Sequence, residues 1–167
     1  MKYYAVIDTN IIVSSMLKHN SIPGEIIDLV FSQTIIPLLN DEILEEYRDV
    51  LTRNKFGFSD LVIEQTLEVL KMNGIFIARE QTIEDFIDED DAVFYEIVMS
   101  ARQTMDAYLI TGNIKHFPIK PFVVTPKEML EIINNNVWIR TSSKAGFLFH
   151  LILILSLYSI VKAHIFC

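Results

Sequence analysis

The chain has 167 residues, enough for one domain with a proper core, and 51% of them are hydrophobic, which excludes a disordered chain. Acids outnumber Lys and Arg by 22 to 14, for a net charge of −8. Since Arg140, Lys144 and Lys162 sit in an acid-free tail, the residues up to Asn136 hold 11 basic groups against 22 acids, or −11. That balance excludes a protein that grips nucleic acid by bulk charge and suits one that gathers carboxylates around divalent cations, while the one cysteine, Cys167, excludes a disulfide framework or a zinc-type cysteine cluster.

Residues 3–7, YYAVI, read as a short buried strand that the first residues enter directly, so no secretory leader is expected. Residues 9–17 follow as a helix with Asp8 or Thr9 at its cap, and Pro23 and Gly24 open a second helix to about Phe31. IIPL (35–38) reads as a short strand, with Pro37 marking it as an edge or irregular. Asn40 caps an amphipathic helix, DEILEEYRDVL, with Ile43, Leu44, Tyr47, Val50 and Leu51 on its apolar stripe. Ser59 caps a helix to about Met72, which Gly74 stops. IFIA (75–78) is a third strand, 79–90 a polar acidic loop, and 91–103 a helix. AYLIT (107–111) and FVV (122–124) are the fourth and fifth strands. Thr125-Pro126-Lys127-Glu128 is a capping box opening a last helix to about Asn134.

Strands alternating with helices predict an α/β domain over 1–136 with a mainly parallel sheet. After Asn136 the composition changes. AGFLFHLILILSLYSIV (145–161) is uncharged and bracketed by Lys144 and Lys162. As a helix it would be about 25 Å long, slightly short for a bilayer core of roughly 30 Å. Residues 137–167 therefore read as a membrane anchor, a docked helix, or an extension appended to a finished domain, and carry no catalytic role.

Several acids fall where strands end or helices begin. Asp8 ends the first strand. Glu42 and Glu46 share one face of their helix at i, i+4 spacing. Asp88, Asp90 and Asp91 open a helix, where the dipole favours anions. Asp106 precedes the fourth strand, and Thr111 and Asn113 follow it. Singly, each has a plain explanation as a cap, a solvated helix face or a helix-start charge run. Together they fall at positions that can meet at one sheet edge, where ligands bind in such folds. Like charges gathered there need a cation, and hard oxygen donors favour Mg²⁺ or Mn²⁺, which suits phosphoryl chemistry.

The stretches VIDTNIIVSSML, NDEILEEYRDVL, DEDDAVFYEIVMSA and DAYLITGNIKHFP, in this order, resemble the PIN-domain ribonucleases, most nearly the VapC-like toxins of toxin–antitoxin pairs. The likeness runs from about residue 2 to 134. It implies a three-layer α/β/α sandwich and a Mg²⁺- or Mn²⁺-dependent endoribonuclease cutting single-stranded or structured RNA, paired with an antitoxin protein. Carried over, Asp8, Glu46 and Asp91 match the metal-binding acids, and Asn113 stands where many members have a fourth. Thr111, Asn10, Asp88 and Asp106 match outer positions. Lys115, His116, Arg102 and Arg48 are candidates for contacts to the RNA backbone. The expected location is cytoplasmic, or membrane-anchored if 145–161 is an anchor, and a homodimer is compatible with the likeness. Two other functions compete. A signalling receiver domain would need an aspartate straight after the third strand, where Arg79 and Glu80 stand instead. A catalytically inactive PIN fold serving as a binding scaffold is kept open by Asn113, which brings no charge.

Overall fold

The computed structural model describes residues 1–81 and 89–136. Asp88 and the whole 137–167 tail, with its apolar 145–161 run, lie outside the described residues. The chain divides between Met129 and Leu130 into two units, and the sheet lies in the first.

Five strands form one all-parallel sheet in the order β3-β2-β1-β4-β5: β1 Tyr3–Ile7, β2 Ile35–Leu39, β3 Ile75–Phe76, β4 Ala107–Ile110 and β5 Val123–Val124. Between them lie α1 Thr9–Leu17, α2 Ile22–Phe31, α3 Asp41–Leu51, α4 Asp60–Asn73 and α5 Glu89–Arg102. A 3-10 turn, Ile114–His116, follows β4, and a last helix spans 126–136. The strands step one way from β1 to β3 and the other way from β4 to β5. With right-handed crossovers, that reversal sets α5 on the face opposite the helices between β1 and β3, giving a three-layer α/β/α sandwich.

Local chemistry explains most boundaries. Asp8, Ser21, Asn40 and Ser59 each cap a helix by accepting a backbone N–H, from Asn10, Gly24, Ile43 and Val62 respectively. At Thr125 the backbone N–H donates to Glu128 Oε2 (2.7 Å), while Glu128 N–H donates to Thr125 Oγ1 (3.2 Å), the reciprocal pair of a capping box. β1 and β2 are almost wholly buried, as interior parallel strands are.

One local expectation needs correction. β2 is not an edge strand, because it lies between β1 and β3. Pro37 is tolerated because its carbonyl faces Gly74, so its missing N–H falls on the side where β3 has not yet begun. Gly74 ends α4 as expected, at φ −94°. A glycine is needed there because a Cβ would lie 2.6 Å from Leu39 Cδ1 and 2.8 Å from the Leu70 carbonyl. The true edge, β3, is only two residues long, which blunts pairing with another chain.

Candidate active site

The sheet order reverses between β1 and β4, so their carboxyl ends flank the crevice where ligands bind in open parallel sheets. Asp8 stands one residue past β1, its N–H donating to the Ile110 carbonyl (3.0 Å). Thr111 stands one residue past β4, its N–H donating to the Val124 carbonyl (3.0 Å). The ladder itself therefore sets these two side chains beside each other.

Asp8 is both cap and site residue. Its Oδ1 accepts from Asn10 N–H (3.1 Å), and its Oδ2 accepts from Asn10 Nδ2 (2.5 Å) and from the Thr111 hydroxyl (2.5 Å). A carboxylate offers about four lone-pair positions; donors among the described residues take three, one on Oδ1 and two on Oδ2. Around it, Gly112 N–H donates to Asn10 Oδ1 (3.1 Å) and Asn113 N–H donates to Thr111 Oγ1 (2.9 Å), so the loop after β4 is pinned to the start of α1. Thr111 is fully buried and Asp8 is 6% exposed. Burial raises the Asp8 carboxyl above the usual carboxylate range. The Thr111 and Asn10 donors oppose that shift, and the negative charge of Asp91 adds to it.

Asp91 thus lies within electrostatic reach of Asp8, carried there by the first turn of α5. Its Oδ2 lies 2.9 Å from His116 Nδ1, in the 3-10 turn after β4. An ionised carboxylate only accepts, so Nδ1 is the donor. Glu46 is half-buried on α3. The intervening Tyr47 is buried and its hydroxyl donates to the Ile7 carbonyl, next to Asp8. Its phenol is held well above its usual value, mainly by burial and then by the charges of Asp8 and Glu46, so both acids reach this one ring.

Not every expected residue lies here. Asp106 is level with Tyr3 in the β1–β4 register, five residues before Asp8, or about 16 Å away along the strand. Arg102 is at that same amino edge, donating to Asp106 Oδ1 (3.0 Å) and the Ala107 carbonyl (2.5 Å) and lying over the Phe122 ring. The structure therefore does not bring Asp106 and Arg102 together with the carboxylates: the length of β4 separates them. Arg48 forks onto Glu64 of α4 with two 2.9 Å bonds. Lys115 and Asn113 are exposed beside the crevice. Sequence reading missed Tyr47's polar tip and also a clamp at Arg79, which bonds Glu42 of α3 and buried Glu96 of α5 (2.5 Å). The signal for the clamp was a charge inside the apolar run VFYEIV, which needs a partner.

Among the described residues, no three His, Cys, Asp or Glu side chains converge closely enough to hold a metal ion by themselves. The donor set still fits Mg²⁺ or Mn²⁺. Mg²⁺ is commonly bound by one or two carboxylates and keeps several waters. Asp8 and Asp91 are such a pair, mutually repelling without a cation.

A family model described as PIN domain matches residues 4–115, a span that takes in Asp8, Glu46, Asp91 and Asn113. The chain belongs to the PIN domain family. Over 146 aligned residues this PIN domain chain is 27% identical to an uncharacterized protein of Methanocaldococcus jannaschii, covering 78% of this chain and 92% of that protein. PIN domains are generally nucleases, so the fold is one that cuts nucleic acid.

The raised Asp8 carboxyl carries a pH prediction. The native state binds this proton more tightly than the unfolded chain does. The Asp8 contribution to stability is therefore largest below about pH 3.9, falls as pH rises towards the native value, and stays lower above it. Melting wild type and Asp8→Asn from pH 3.5 to 7 without metal should show the wild type losing stability relative to the variant as pH rises, with added Mn²⁺ restoring it at pH 7.

Proposed function

We propose that this PIN domain is a divalent-cation-dependent endoribonuclease, acting as the toxin of a toxin–antitoxin pair. The observation that supports it is the pairing of Asp8 with Asp91 at the crevice between β1 and β4. When bound, Mg²⁺ or Mn²⁺ would polarise the scissile phosphate and acidify a water. Asp8 and Asp91 are the carboxylates that would hold it. Glu46, across Tyr47, orients the attacking water. Asn10 and Thr111 hold Asp8 in one rotamer, and Asn113 offers a neutral oxygen at the mouth. Lys115 faces the RNA backbone. The toxin assignment, its antitoxin partner and a homodimer rest on the run of four motifs, and a membrane contact rests on the length and hydropathy of the uncharged run 145–161.

The test is internal cutting of single-stranded RNA by the full chain with Mn²⁺ or Mg²⁺, lost in EDTA. Asn113 supports a second reading, an inactive scaffold, and Asn113→Asp separates the two. For the nuclease, the added charge should tighten Mn²⁺ binding about tenfold by calorimetry and speed cleavage. RNA bound but left uncut by both proteins would favour the scaffold.

A further inference from the structure

The loop between α3 and α4 reads Arg53-Asn54-Lys55-Phe56-Gly57-Phe58, with no acid between Asp49 and Asp60 in a chain of net charge −8. Its place follows from the topology. α3 begins just past the carboxyl end of β2, and α4 ends one residue before β3 begins. At 1.5 Å per residue the 14 residues of α4 span about 21 Å, against roughly 17 Å for a five-residue strand. Its first turn therefore stands back at the carboxyl edge, and the loop lies on the side of the sheet that holds Asp8 and Asp91. The Arg48–Glu64 fork ties α3 to α4 beneath it.

The loop is ordered around its aromatics. Phe56 and Phe58 stack with centroids 5.8 Å apart and planes 14° from parallel. Gly57 takes φ +68°, the left-handed turn that lets residues on either side of it bring their rings together. The Lys55 ammonium lies 4.8 Å from the Phe56 centroid. Both rings stay half-exposed, Arg53 and Lys55 are exposed, and neither cation is in an ion pair among the described residues. Cations that pair with phosphates, beside flat apolar faces on which unpaired bases stack, are what single-stranded RNA recognition needs. We propose that residues 53–58 bind a single-stranded stretch of the RNA substrate, with Arg53 and Lys55 on its phosphates and the phenyl pair against a base. This rests on the ribonuclease reading above and replaces Arg48, already held by Glu64, as the contact on this side.

The test is fluorescence anisotropy of a short labelled RNA with the full chain in EDTA, across a salt series. Arg53→Ala with Lys55→Ala should weaken binding and flatten the slope of log K against log salt by about 1.4, since each phosphate contact on a single strand contributes about 0.7. Phe58→Leu, which keeps an apolar partner for Phe56, should weaken binding about fivefold or more. Both variants should melt like the wild type, and binding of duplex RNA should be little changed by Phe58→Leu. Variants that bind as the wild type does, or a Phe58→Leu loss equal on duplex, would overturn the loop assignment while RNA cutting still stood. A wild type that neither binds nor cuts RNA would overturn both.

Discussion

Asp91→Asn should slow RNA cleavage by about 10³-fold or more, since a bound cation contributes several kcal/mol to such reactions and each 1.4 kcal/mol is a factor of ten. The substitution keeps the shape of the side chain, and the remaining oxygen can still accept the His116 proton. Only the charge and one ligand are lost. The metal-free protein should gain stability near neutral pH, because the Asp91 charge is one of the effects that raise the Asp8 carboxyl. A higher melting point together with a lost activity separates a ligand from a structural residue. A lowered melting point with a proportionate loss of activity would point to mere unfolding.

His116→Ala should weaken Mn²⁺ binding by about 10- to 100-fold, the usual effect of removing the partner that orients a metal ligand. Its 2.9 Å bond to Asp91 Oδ2 holds that carboxylate in one orientation at the crevice. His116 is half-exposed, so the metal-free fold should hardly change. Cleavage should fail at low Mn²⁺ and recover at saturating Mn²⁺. His116→Gln, which retains a donor, should recover part of the affinity. A rate loss that excess Mn²⁺ leaves untouched would assign His116 to the RNA instead of to Asp91.

Most of the fold was legible because it is written locally. The caps at Asn40 and Ser59, the capping box at Thr125 and the short apolar runs are properties of neighbouring residues. Asp8 stood out for the same reason, as a carboxylate at the end of an apolar strand. What was missed depends on partners far along the chain. Pro37 looked like an edge residue because its register against a late-starting β3 is not a local property. Asp106 and Arg102 looked close to Thr111 in sequence, yet a strand carries them to the opposite edge. The Arg79–Glu96 and His116–Asp91 bonds join residues 17 and 25 positions apart, and no spacing rule announces them. The position of the 53–58 loop at the carboxyl edge came only with the strand order.

The claim on which the rest depends is that Asp8 and Asp91 together hold one divalent cation. Calorimetric titration of Mn²⁺ into the metal-free full chain, beside Asp8→Asn and Asp91→Asn, tests it most directly. The expected result is one ion per chain in the wild type and no detectable binding at that site in either variant. Equal binding in all three proteins, or none in the wild type, would contradict it.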